Sequence, residues 1–129
     1  GLGLYRSTDG GDSWSLVPGS LAAAGNRSIG GVAIDPFNAN HILIATRSGT
    51  RGVASNGGAV TAPGPAPGVY QSTDGGLSFT LTRAGTAHEV KFDPSHAGVA
   101  YAAIGGVGLV RSSDGGTSWE TIFSGTRTR

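Results

Sequence analysis

Side chains able to exchange protons or hold a metal ion are few in this 129-residue sequence: eight carboxylates, three histidines and no cysteine. Three of the carboxylates, Asp9, Asp74 and Asp114, occupy the same place in the segments STDGGDSW (7–14), STDGGLSF (72–79) and SSDGGTSW (112–119). Asp35 and Asp93 each precede a proline, a turn signal, because proline pushes its predecessor out of the helical region. Asp12, Glu89 and Glu120 remain. Cleavage of a glycosidic bond takes two carboxyl groups about 5–9.5 Å apart. Asp12 lies in a turn and Glu120 on an outer strand, so Glu89 alone starts an inner strand, and one carboxylate is half a mechanism. No catalytic residue is assigned.

A different chemistry, ligand recognition, is open to a second set. His88 and Glu89 stand where the preceding repeat, 58 positions earlier, has Gly30 and Gly31. Arg27, Arg47 and Arg51 fall at the same expected end of the sheets and have the forked donors that suit carboxylates or sugar hydroxyls. The plain alternative for all five is a solvated strand end or loop. His41, His88 and His96 are too scattered for a zinc site, and no phosphate-binding loop or Ser-His-Asp grouping is present, so no metal or cofactor is expected. Nine basic residues against eight acidic ones give a net charge of +1, which leaves no broad basic footprint for nucleic acid or an anionic membrane. No run approaches the roughly 18–20 apolar residues of a membrane helix, and membrane insertion is not expected.

The elements that position these residues follow from two repeats. The eight-residue segments share Ser-x-Asp-Gly-Gly-x-Ser-aromatic, through Ser7, Asp9, Gly11, Ser13 and Trp14, then Ser72, Asp74, Gly76, Ser78 and Phe79, then Ser112, Asp114, Gly116, Ser118 and Trp119. Each is flanked by short β-like runs and reads as a hairpin whose glycines supply positive φ. The Asp can accept backbone N–H bonds within its own turn, and the aromatic ring is expected to pack beneath it. The second repeat, VAIDPFNANHILIAT at 32–46 and VKFDPSHAGVAYAAI at 90–104, adds a hairpin around Asp-Pro. Chaining the two gives strands near 29–35, 41–46, 68–72 and 78–83, and near 88–93, 99–104, 108–112 and 118–123.

The eight-residue segments resemble the Asp-box, or BNR repeat, of sialidases, xyloglucanase-like glycoside hydrolases, sortilin-type receptors and photosystem II assembly factors. That resemblance implies an all-β fold of four-stranded antiparallel β-propeller blades. About two and a half are present, too few to close a ring by themselves. Residues 1–20 read as the second half of a blade, 28–84 as a complete blade with an irregular insertion at 47–68, and 87–125 as another. The family's motif lies at the rim, away from the ligand face, so the insertion and any ligand belong at the opposite end. The sialidase arginine motif and Tyr–Glu pair are absent, and the xyloglucanase aspartates map onto no free carboxylate here. The resemblance implies an exported protein, extracellular or periplasmic; because neither catalytic set carries over, the expected role is a noncatalytic binding or scaffold segment with a carbohydrate or protein ligand on the face opposite the motifs. The alternative is a segment of a secreted glycoside hydrolase whose catalytic residues lie mostly elsewhere. The expected partners are the remaining blades of the same protein or assembly.

Overall fold

Alternation of small or branched apolar residues with polar ones dominates the chain between its glycine-rich turns, and extended structure follows from it. The computed structural model describes residues 3–25, 27–48, 50–53, 59–61 and 65–124, with side chains omitted at 50–53, 59–61 and 124. Twelve strands and one short helix are present among them. A two-stranded hairpin comes first, β1 (Tyr5–Arg6) with β2 (Ser15–Leu16), followed by α1 (Ser20–Ala24). The first four-stranded sheet runs β3 (Arg27–Asp35), β4 (Asn38–Ser48), β7 (Gly68–Ser72), β8 (Thr80–Ala84). The second runs β9 (Ala87–Phe92), β10 (Ala100–Ile104), β11 (Gly108–Ser112), β12 (Glu120–Ser124). Every pairing is antiparallel.

The insertion at 47–68 departs from the irregular loop expected of it. It contains β5 (Thr50–Val53) paired antiparallel with β6 (Ala59–Thr61). The glycine and proline content obscured two short extended stretches, each containing a valine. The helix α1 was also hidden. Its SLAAA segment has good helix formers but is too short to show a helical period.

Strand alternation divides the first sheet into two buried faces. Ala33, Leu43, Ala45 and Val69 point toward the second sheet and join Ala87, Val90, Ala100, Ala102, Ile104 and Val110 in one core. Ile42, Ile44 and Tyr70 point the other way, onto Ala23 and Ala24 of α1, with Leu4, Ile29 and Phe79 at the edge. The sheets stack through their first strands, and the approach is close. A Cβ on Gly30 would fall 2.5 Å from the His88 carbonyl oxygen, and one on Gly31 would fall 3.1 Å from the Val90 nitrogen. Glycine at 30 is therefore a packing requirement, and at 31 the fit is tight.

Candidate functional site

The Ser-x-Asp-Gly-Gly corners have one geometry three times. In the third, Ser112 Oγ donates to Asp114 Oδ1 (2.6 Å) and accepts from the Gly116 amide (2.8 Å). The Ser118 amide donates to Asp114 Oδ1 (2.9 Å) and its hydroxyl to Oδ2 (2.5 Å). Asp74 is held the same way by Ser72 and Ser78, and Asp9 by Ser7 and Ser13. These bonds favour the charged carboxylate. The Ser13 and Ser78 side chains, with the amides of the same residues, bring Asp9 and Asp74 down to about 2. Asp114, held by the Ser112 and Ser118 hydroxyls, lies further below the usual carboxylate range. A carboxylate so bound is a poor proton carrier near neutral pH.

The aromatic that ends each corner behaves differently in the three copies. Trp119 is largely covered and donates its indole N–H to Thr82 Oγ1 on the first sheet (3.0 Å) and to the Gly116 carbonyl (3.1 Å). Phe79 sits at the edge of the core that includes α1. Trp14, expected to pack beneath its turn, is 63% exposed and bonds only within its own corner, to the Gly11 carbonyl (3.1 Å). The ring needs a neighbouring sheet to cover it, and among the described residues none lies on that side of the first hairpin.

Which end of the sheets the corners occupy is fixed by backbone bonds. The Gly75 amide donates to the Asn40 carbonyl and the Gly115 amide to Gly98, tying each corner to an Asp-Pro turn. Those turns are built alike. Asp35 accepts from the Phe37 amide and pairs with His41 Nδ1 (2.9 Å), and Asp93 accepts from the Ser95 amide and pairs with His96 Nδ1 (3.1 Å). Burial opposes the charge on Asp35, yet the His41 and Phe37 bonds outweigh it and hold the carboxyl below its ordinary value. Asp93 is lowered too, first by the Ser95 amide. His41 also meets Phe92 edge-on, 5.1 Å between ring centres, and so links the two sheets. Spacing along the chain gave no hint of that role, because both of its partners are brought to it by the fold.

At the opposite end, the Gly105 amide donates to Thr86 and the Gly85 amide to Pro67. Arg27, Arg47 and His88 belong here, but they do not converge. Arg27 is buried and spends its Nε on the Pro65 carbonyl (2.6 Å), while the Tyr70 hydroxyl donates to Ala66 (2.5 Å). These two side chains anchor the returning limb of the insertion. Burial raises the Tyr70 phenol despite the neighbouring Arg27 charge. Arg47 is exposed on β4, and the side chain of Arg51 lies outside the described residues. His88 is exposed on β9, its ring edge facing Gly105.

Glu89 is exposed and forms an ion pair with Lys91 (Oε1 to Nζ, 3.3 Å). Both line an open groove of about 330 Å³ between β3 and β9, walled by Val32, Ile34, Phe92 and the two Asp-Pro prolines. Asp93 is four residues along β9 from Glu89, and Asp35 is four residues along β3 from Gly31, which faces Glu89. At strand rise each Cα is about 13 Å along the strand from the position of Glu89, a wider backbone spacing than the separation of a glycosidase carboxyl pair. Glu120 pairs with Arg111 (3.6 Å) on the outer edge. No grouping of three or more His, Asp or Glu suited to a metal ion occurs among the described residues, and no described helix is long and apolar enough to cross a membrane.

No family model and no curated protein matches the chain. Solved structures do. The crystal structure of an ancestral GH74 enzyme aligns over 93% of this chain and 16% of its own length, with 29% identity and a TM-score of 0.62. The GH74 enzyme of Niastella koreensis aligns over 94% of this chain and 26% of its own (19% identity, TM-score 0.42). The GH74 xyloglucanase of Xanthomonas campestris aligns over 93% and 27% (17% identity, TM-score 0.40). The chain thus spans between a sixth and about a quarter of the length of these structures. Its four-stranded antiparallel meanders are β-propeller blades, and the chain makes up part of such a ring.

Proposed function

We propose that this chain is a noncatalytic scaffold segment of a secreted, GH74-like glycoside hydrolase propeller. In this reading the three corners are Asp-boxes that close the rim of each blade, and the opposite end, with His88, Arg47 and the anchored insertion, faces a carbohydrate. The observation that carries it is the alignment of nearly the whole chain with the ancestral GH74 enzyme, at 29% identity. The carboxylates support the division of labour. The three in the corners and the two in the Asp-Pro turns are hydrogen-bonded locally, and Glu89 is paired with Lys91.

The test is turnover of β-glucans, xyloglucan included, by the intact protein and by its Glu89→Gln variant. Hydrolysis that survives the substitution with kcat within about threefold fits a scaffold role, since loss of a group acting only in the transition state lowers kcat far more. Loss of turnover in Glu89→Gln with binding retained would make Glu89 catalytic. An intact protein that turns over none of these glucans would remove the hydrolase reading.

A further inference from the structure

The second and third corners each carry an Asp-Gly pair, 74–75 and 114–115. Such a pair can rearrange without any other reactant. The glycine nitrogen bonds to the aspartate Cγ, a Cγ–O bond breaks, and the N–H and carboxyl protons leave with that oxygen as water. Water then reopens the succinimide at either carbonyl, and opening at the main-chain one leaves isoaspartate, with an extra methylene in the backbone. Glycine favours the first step, since no Cβ screens its nitrogen.

The fold cannot exchange these residues for safer ones. Gly75 and Gly115 have φ of 73° and 78°, and a Cβ on Gly115 would fall 2.7 Å from His41 Cε1. The aspartates are fixed too, because they gather the hydroxyl and amide bonds of the corner. Instead, both reacting groups are occupied. The Gly75 N–H is spent on the Asn40 carbonyl (2.9 Å) and the Gly115 N–H on the Gly98 carbonyl (2.8 Å), each in the neighbouring Asp-Pro turn. On the carboxyl side, Asp74 Oδ2 takes the Ser78 hydroxyl (2.6 Å) and Asp114 Oδ2 the Ser118 hydroxyl (2.5 Å). These bonds favour the charged form, whereas the loss of water needs the neutral acid. With Asp74 at about 2 in place of 3.8, the neutral acid near neutral pH is roughly sixtyfold scarcer than in a free aspartate.

We propose that Asp74–Gly75 and Asp114–Gly115 are latent isomerisation sites, kept shut by the bond from each corner to its Asp-Pro turn and opened when the two part. Isoaspartate displaces the carboxyl and lengthens the backbone, so the corner bonds are lost with it. The Asp-Pro turns thus guard the chemical lifetime of the corners as well as their position. The proposal rests on the corner bonds and is independent of the hydrolase reading.

Peptide mapping with electron-transfer fragmentation separates aspartate from isoaspartate at each position, and tests the proposal after weeks of incubation of the full chain in warm neutral buffer. The folded chain should gain isoaspartate at 74 and 114 at least about tenfold more slowly than the same chain in denaturant, where the neutral acid is commoner and the amides are free. Gly98 has φ of 82°, so Gly98→Ala strains its turn and displaces the carbonyl that holds the Gly115 amide. It should speed isomerisation at Asp114 by about threefold or more and leave Asp74 unchanged, while Gly98→Asn, which tolerates positive φ, should alter neither. Asn38→Ala removes the side-chain oxygen that holds the Asn40 amide (3.1 Å) and should speed Asp74 alone by a similar factor. Circular dichroism checks that the sheets persist, and if Gly98→Ala has lost them, Asn38→Ala decides. Equal rates in the folded and denatured chain overturn the proposal. So does a turn variant with intact sheets whose own corner isomerises no faster than the parent's, or one that speeds both corners equally.

Discussion

Trp14 and Trp119 occupy the same place in the same motif, yet one ring is covered by a second sheet and the other is not, so truncating each to alanine separates the packing contribution from the motif. A tryptophan side chain presents about 200 Å². With most of that area buried at Trp119, about 25 cal/mol per Å² gives roughly 3–4 kcal/mol as an upper figure. Partial burial in the unfolded chain reduces the area change, while the lost N–H bond to Thr82 adds about 1 kcal/mol. Trp119→Ala is expected to cost about 3 kcal/mol. Trp14 is 63% exposed and makes its one indole bond within its own corner, so Trp14→Ala should cost about 1 kcal/mol or less. For a domain of this size the first change lowers Tm by roughly 10 °C and the second by only a few degrees. Calorimetry or far-ultraviolet dichroism is the proper assay, because indole fluorescence is itself altered. Equal losses for the two variants would refute the idea that the neighbouring sheet, and not the corner alone, supplies the stabilisation.

Other changes probe the same account. Gly30→Val would drive a side chain into the His88 carbonyl, so a loss of about 1–3 kcal/mol is expected in chemical denaturation, and a neutral effect would mean that the sheets do not approach there. Tyr70→Phe removes the hydroxyl bond to Ala66 and should cost about 1 kcal/mol while speeding amide exchange at Ala66 and Gly68, a change that an unanchored insertion would not show. Asp9 and Asp74 have folded values near 2, below the 3.8 of an unperturbed aspartate, so their contribution is fully present above about pH 4 and is lost as the pH falls toward 2. Asp35, Asp93 and Asp114 are shifted in the same direction. Denaturation midpoints should therefore hold steady down to about pH 4 and fall below it, whereas stability that rises on acidification would contradict the corner bonds.

Much of this architecture was legible because the corners repeat without gaps. Fixed Ser, Asp, Gly and aromatic positions locate three hairpins, and the Asp-Pro repeat supplies the paired strands between two of them. What stayed hidden depends on contacts between units. Gly30 and Gly31 look, in sequence, like the mere absence of the polar residues found at His88 and Glu89, and only the stacked sheets reveal that β9 presses against them. Arg27 looks like a loop arginine open to ligand, but residues 38 positions later fold back to take its Nε. The exposure of Trp14 could not be read from its motif either, since the motif fixes the corner and the neighbour decides the burial. The candidate ligand end was legible only as an end. Strand direction groups side chains by end, but grouping does not make them converge.

The most direct test is a carboxyl titration followed by carbon NMR on the intact fold. If the corner aspartates are bound by their own serines and amides, Asp9 and Asp74 titrate near 2 and Asp114 lower still. Midpoints at the ordinary value close to 4 would mean that those carboxylates stand free in solvent, and the structural role given to all three corners would be wrong.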